Sequence, residues 1–332
     1  MPEDAVQFGI VGAGRIAARA FAPALQSATN ADLAAVASRD LDRAKALGGR
    51  RAYDSYEALL DDPEVEAVYI ATHNGLHHPL TIRAVERGKH VLCEKPLACD
   101  ASQCSEMVAA ARAHSRHLME GFMYRYHPQI AEARAMLDAG AIGDLRVIEA
   151  SFSFLHTDET DVRCNPAWGG GSLMDVGCYC VNACRYFLGG MPGTVKAYAT
   201  FHPLHGVDTS VHGVLDFGQG RYGVISCGFD GGFRNRLLLC GTQGTITLPS
   251  AFANRLQATT LELRTPRESR DVPFEPADVF RLEIEDFARA VRGGPPPMLE
   301  PEEGLRNARV IEALFASARQ EGMPKRAAPA SP

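Results

Sequence analysis

The chain reads as a doubly wound α/β dinucleotide-binding domain followed by an α+β domain built on an open, mostly antiparallel sheet. Three observations predict this. An apolar strand runs straight into Gly12-Ala13-Gly14-Arg15-Ile16-Ala17, the G-x-G-x-x-G/A pattern of a phosphate-binding turn. Apolar strands then alternate with helical stretches as far as Gly121, the rhythm of a parallel sheet. Between Thr194 and Leu263, strand follows strand with almost no helix, which points to antiparallel pairing. At 332 residues the chain is too long for one core. The change of rhythm sets the expected division: 1–121 for dinucleotide binding, 122–320 for substrate binding and oligomerisation, and 321–332 as a disordered tail.

Composition narrows the class. Hydrophobic residues make up 46% and charged residues 22%, with no long uncharged apolar run, so no membrane span is expected. A formal charge of -6 at pH 7 argues against nucleic acid or anionic lipid as a partner. Met1-Pro2-Glu3-Asp4 is acidic and leads directly into a strand, so no signal peptide is expected. Nine cysteines scattered through the chain fit reduced thiols in a cytoplasmic protein better than a disulfide framework.

Val6 to Val11 is the first strand. In the turn after it, Gly12 permits the tight bend, Gly14 lets the backbone approach a pyrophosphate, and Ala17 lets the next helix pack closely. Gly12, Gly14, Arg15 and Ile16 are the first cofactor candidates. The second strand, Asp32 to Ala37, ends in Ser38-Arg39. An NAD-binding unit usually places an acid there for the ribose 2′-hydroxyl. A hydroxyl and a guanidinium suit a 2′-phosphate instead, so NADP is the expected cofactor; Asp40 is the competing ribose acid that keeps NAD possible.

Asp54-Ser55-Tyr56-Glu57 caps a short helix, and Ala67 to Ala71 is the next buried strand. Its carboxyl end, where ligands of open α/β sheets gather, carries Thr72, His73, Asn74, His77 and His78. Three histidines invite a zinc site, but no cysteine or acid stands at ligand spacing, so no metal is expected. A helix from Pro79 to Arg87 leads to a strand ending in Cys93-Glu94-Lys95-Pro96. Proline biases Lys95 away from helix and aims its side chain. A helix from Asp100 to His114 and a strand at Leu118-Met119-Glu120 complete the first sheet.

Phe122 to Pro128 is aromatic and basic, and Arg125 in its midst is not easily explained by packing. Leu145 to Phe154 reads as a strand. Asn165 to Ser172, with Trp168 and three glycines, reads as a flexible loop open to a substrate or cofactor, capping a helix from Leu173 to Leu188. On that helix Asp175 and Tyr179 are one turn apart on one side. They are either a helix-start charge and a core aromatic, or a reacting pair. Beside a lysine, a phenol can do acid–base work, because the ammonium lowers its pKa from about 10. Cys178, Cys180 and Cys184 read as small buried thiols. Helices at Asp278–Arg292 and Glu302–Gln320 close the chain.

Gly12 to Ala17, Thr72-x-Asn74-x-x-His77, Glu94-Lys95-Pro96 and Asp175-x-x-x-Tyr179 together resemble the Gfo/Idh/MocA oxidoreductase family, from Val6 to about Gln320. Ala37 to Ala44 is similar to its NADP-using branch of dihydrodiol and xylose dehydrogenases, and Tyr179 to members with tyrosine in place of histidine, among them sugar ketoreductases. The resemblance implies that Lys95 and Tyr179 flank the nicotinamide and that Asp175 orients the substrate; Trp168 is a further substrate-binding candidate, as an aromatic that serves either as core or as a stacking face. It implies that Thr72, Asn74, His77, Glu94, Lys95 and Arg125 line the cofactor, and that the C-terminal sheet forms dimers or tetramers. The expected activity is NADP-dependent hydride transfer to or from a secondary alcohol or ketone of a sugar, cyclitol or related diol. The alternatives are a trans-dihydrodiol dehydrogenase and a non-catalytic dinucleotide sensor.

Overall fold

A computed structural model describes residues Asp4 to Arg326, and the chain in it falls into two units. The first holds the chain to Met123 together with Asp278–Leu305; the second holds Tyr124–Ala277 and the chain from Arg306.

In the first unit, strand β1 (Val6–Val11) feeds a helix that begins with a π turn and continues as α1 (Ala22–Ser27). There follow β2 (Ala31–Ala37), α2 (Leu41–Ala46), β3 (Arg51–Tyr53), α3 (Tyr56–Leu60), β4 (Ala67–Ile70), α4 (His77–Glu86), β5 (His90–Glu94), α5 (Ala101–Ala113) and β6 (Leu118–Gly121). All neighbouring pairs are parallel, in the order β3-β2-β1-β4-β5-β6. Parallel strands covered on both faces must be apolar throughout, and β4 (Ala-Val-Tyr-Ile) is buried at every residue. The strand order reverses between β1 and β4, which opens a crevice at their carboxyl ends.

The second unit begins with α6 (Pro128–Asp138) and β7 (Leu145–Ser153). A π turn over Leu173–Gly177 runs into α7 (Cys178–Leu188). The remaining strands are β8 (Thr194–Phe201), β9 (Asp208–Asp216), β10 (Tyr222–Gly228), β11 (Arg234–Gly241), β12 (Thr245–Leu248), β13 (Thr259–Arg264) and β14 (Ser269–Phe274). Their order is β14-β13-β12-β11-β7-β10-β9-β8, antiparallel except where β7 meets β10. The helix with the three cysteines lies close on one face of this sheet. A Cβ on Gly223 would stand 2.8 Å from Cys184 Sγ, and one on Gly177 would stand 2.7 Å from Cys227 Sγ. Small residues on both sides are what this distance requires. None of the nine cysteines forms a disulfide, and burial pushes the Cys184 thiol up to about 12.

Two helices close the chain, α8 (Val279–Val291) and α9 (Glu302–Ala318), and the first departs from the expected division. Helix α8 belongs to the first unit, not to the domain expected over 122–320. Its buried face, with Phe280, Ile284 and Phe287, meets Phe8 of β1, ring centroids 6.1 Å apart. Arg292 just beyond pairs with Glu66 at 2.6 Å. In the second unit, Leu314 of α9 packs over Gly213 of β9. Part of the expected 321–332 tail is ordered. Lys325 exchanges backbone hydrogen bonds with Val195 of the edge strand β8, at 2.7 and 2.9 Å; Ala327 to Pro332 lie outside the described residues. Strand β14 escapes a pattern reading because Ser-Arg-Asp-Val-Pro-Phe is a charged, proline-bearing edge.

Candidate active site

The carboxyl ends of β1, β2, β4 and β5 bring the first group of expected residues together. Gly12 has φ +101°, and a Cβ there would lie 2.9 Å from Ala71 O and 3.2 Å from Thr72 Cγ2. Only glycine gives this turn both its angle and its room. Gly14 is free of such crowding, with Ala71 O 3.5 Å from an added Cβ, so its missing side chain leaves the approach open. Arg15 and Ile16 are exposed on the first turn of the helix that follows. The π turn of that helix is anchored by Phe21, stacked on Tyr69 of β4 at 3.5 Å between centroids.

After β2 the two competing side chains separate. Asp40 is the N-cap of α2, its carboxylate accepting from the amides of Asp42 and Arg43 at 3.1 and 3.2 Å. Ser38 is buried and accepts from the Asp40 amide at 3.2 Å, whereas Arg39 is exposed. Burial, with the Arg39 charge second, holds His73 below its ordinary pKa. Arg43, part of the Ala37–Ala44 segment but not among the expected site residues, donates to Ala13 O at 2.7 Å and so brings a guanidinium to the glycine turn.

Lys95 stands at the end of β5, before a cis bond to Pro96. The turn it occupies is held from below. Glu94 is buried; it accepts from the Tyr69 hydroxyl and, at 3.2 Å, from the Lys95 amide. His77, expected to line a cofactor, is instead buried between two backbone carbonyls, Nδ1 2.9 Å from Pro96 O and Nε2 3.1 Å from Thr72 O. Burial lowers its pKa to about 4, against the two carbonyls that raise it. The ring is therefore neutral, with one N–H to donate, and the shorter contact to Pro96 O is the better bond. His77 thus ties the Lys95 turn to the Thr72 segment. Asn74 opens a short 3₁₀ turn, Asn74–Leu76, between them.

In the second unit the expected residues have closer neighbours than the pattern suggested. Asp175 lies within the π turn, not in regular α-helix. Its Oδ2 accepts from Arg163 Nε at 2.6 Å, and Arg163 also donates to Asp161 at 3.1 Å. Tyr179 is a buried ring, edge-on to Tyr124 and Phe152 at 5.8 and 5.5 Å and tilted against Phe252 at 5.7 Å. Arg125, expected at the cofactor, lies over the Tyr186 ring at 3.5 Å, a cation–π contact. Trp168 is 39% exposed at the end of a 3₁₀ turn.

The loop expected to be flexible is tightly bonded. Gly170 N–H donates to Asn165 O at 3.0 Å and Gly171 N–H to Arg163 O at 2.9 Å. Its glycines make room for protein, not for a ligand. A Cβ on Gly170 would overlap Arg163 O, and one on Gly171, where φ is +110°, would overlap Asp208 Oδ1. Buried Asp208 then accepts from Ser172 Oγ and from the Leu173 amide, both at 2.7 Å, capping the Asp175 helix from a distant strand. Burial raises the Asp208 pKa despite those bonds. Neither Asp208 nor Arg163 carried a sequence signal, since both act across loops of no regular period.

The chain is similar to known proteins over most of its length. A family model described as "Oxidoreductase family, NAD-binding Rossmann fold" matches residues 6–122, and one described as "GFO/IDH/MocA C-terminal domain" matches residues 130–247. D-xylose 1-dehydrogenase (NADP(+)) 2 of Haloferax volcanii is 40% identical over 320 residues, covering 94% of this chain and 97% of that protein. Trans-1,2-dihydrobenzene-1,2-diol dehydrogenase of Xenopus tropicalis is 36% identical over 253 residues, 74% of this chain and 76% of that protein. The crystal structure of KijD10, a 3-ketoreductase from Actinomadura kijaniata in complex with NADP and TDP-benzene, superposes with a TM-score of 0.89. It is 31% identical and covers 94% of this chain and 98% of that one. KijD10 structures also exist with one tyrosine changed to phenylalanine and one lysine changed to alanine. With both domain models matched and relatives aligned over nearly its whole length, the chain belongs to the Gfo/Idh/MocA oxidoreductase family.

Proposed function

We propose that this protein is an NADP-dependent oxidoreductase acting on a secondary hydroxyl or ketone of a sugar or related polyol. The observation that carries the cofactor is the pair after β2: Asp40 is held as a helix cap while Arg39 stays exposed. The crevice suits a dinucleotide, because the turn at Gly12 has no room for a side chain, Gly14 leaves the approach uncrowded, and a helix begins directly after it. Gly12, Gly14, Arg15 and Ile16 would hold the pyrophosphate side, Ser38 and Arg39 the 2′-phosphate, and Thr72 and Asn74 the far end. When bound, the nicotinamide supplies or accepts the hydride.

The chain's own residues do the rest. Lys95 sets a positive charge against the substrate oxygen, where negative charge grows during reduction. Tyr179 gives that oxygen a proton in reduction and takes it back in oxidation. Asp175, braced by Arg163, accepts a hydrogen bond from a neighbouring substrate hydroxyl and fixes which carbon reacts. KijD10 supports the pairing: its altered lysine and tyrosine are separated by the same number of residues as Lys95 and Tyr179.

The test follows NADPH absorbance against aldoses, inositols, sugar ketones and trans-dihydrodiols, with NADH in parallel. One stereochemical class should turn over, and Tyr179→Phe should lower kcat by roughly 100-fold or more, the range of lost acid–base catalysis. Lys95→Ala should abolish turnover while NADPH affinity stays within a few-fold. Tight NADPH binding with no turnover across the panel would favour a sensor.

Copies of the chain are proposed to associate through the open face of the eight-stranded sheet. Tyr198, Val214, Tyr222 and Val224 lie exposed there on one side of β8, β9 and β10.

A further inference from the structure

We infer that the second unit carries a divalent transition-metal site made by Glu159, His202 and His205. The two histidines stand in the connection between β8 and β9, which doubles back on itself. His202 N–H donates to Val207 O at 2.8 Å, Gly206 N–H donates to His202 O at 2.9 Å, and Gly206 takes φ +71°. The turn sets the imidazoles side by side, with centroids 4.5 Å apart and 27° between their planes. Glu159 comes from the connection after β7 and turns its carboxylate toward them. Among the described residues this is the group whose ligand atoms converge, one atom of each lying within 4.8 Å of the other two.

Imidazole nitrogen and carboxylate oxygen are the donor set of zinc, cobalt and nickel sites. The separation of His205 Nε2 from Glu159 Oε2 is 3.4 Å. That is long for a charge-assisted hydrogen bond, about 2.8 Å. It equals the edge of a tetrahedron whose corners lie about 2.1 Å from a central zinc. His202 is the ligand that must adjust, since its Nδ1 accepts from the amides of Leu204 and His205, both at a long 3.3 Å. Glu159 is exposed and both histidines are half-buried, so an ion reaches them without opening the core, and water completes the fourth corner.

The ligands come from the two connections that hold the Asp175 helix. Glu159 shares its connection with Arg163, the partner of Asp175. His205 stands three residues before Asp208, the remote cap of that helix. An ion bound here cross-links the two supports.

Calorimetry of chelator-treated, full-length protein with zinc chloride tests the site, and cobalt chloride gives the ligand set by visible absorption. One ion per chain is expected, with affinity lowered at least tenfold in His205→Ala and in Glu159→Gln and unchanged in His212→Ala. Cobalt should show no sulfur charge-transfer band, and zinc should slow proteolysis between Asp158 and Arg163 in the parent but not in His205→Ala. Absence of uptake, equal affinity in parent and His205→Ala, or a thiolate band that disappears in Cys164→Ser would overturn the assignment. These readouts do not depend on NADPH turnover, so they stand apart from the proposed activity.

Discussion

At Arg39 a guanidinium stands exposed one residue before an acid that is turned toward the start of α2. A charged hydrogen bond to phosphate is worth about 1.5–3 kcal/mol, so Arg39→Ala should weaken NADPH by roughly 10- to 100-fold and leave NADH within a few-fold. Equal losses, measured by fluorescence titration, would remove the 2′-phosphate role. His77 supports a second prediction. Its folded pKa of about 4 lies below the unfolded value near 6.5, so unfolding takes up a proton between those pH values. The stability it contributes is therefore complete above about 6.5 and is lost as pH falls, by about 3 kcal/mol at pH 4. Urea unfolding of the parent should weaken more steeply between pH 7 and 4.5 than that of His77→Gln; parallel slopes would contradict the buried neutral ring. The histidine was visible in the sequence as a member of a motif. That its ring faces two carbonyls was not, because Pro96 O reaches it only after β4 and β5 pair.

The helix that carries Asp175 and Tyr179 shows what sets an element in place. Its period and glycine-rich start were legible, but its first turn is a π turn, and its cap is Asp208 in a strand that follows much later. Gly171→Ala adds a Cβ at φ +110° against Asp208, and should cost about 2–4 kcal/mol. Asp208→Ala leaves the Ser172 hydroxyl and Leu173 amide without their acceptor, costing about 1–3 kcal/mol. Both losses should appear as a lower urea midpoint with an unchanged m-value. A loss below about 0.5 kcal/mol in Gly171→Ala would mean that the loop is loose, as its composition alone had suggested.

At the scale of the molecule, one face of the second sheet carries no helix among the described residues, and its edge strand β8 is met by the chain near Lys325. An apolar residue at the centre of a self-associating face is sensitive to charge. Val224→Asp should therefore shift the mass seen by light scattering toward the 35.8 kDa of a single chain. A parent that is already monomeric, or an unshifted variant, would rule out this face.

Periodicity and turn chemistry are local, so the chain itself determined the alternation of strands and helices, the glycine turn at Gly12, the Ser38-Arg39 ending and the lysine before Pro96. These demand only that neighbours in sequence be apolar, small or rigid at a fixed spacing. Only the tertiary structure decided that α8 returns to the first sheet, that Asp40 is a cap, and that Asp175 answers to Arg163. It also decided that Gly170 and Gly171 make way for protein atoms. Each of these depends on which distant atom occupies a particular few ångströms of space, and burial and close packing settle that only once all the elements are in place.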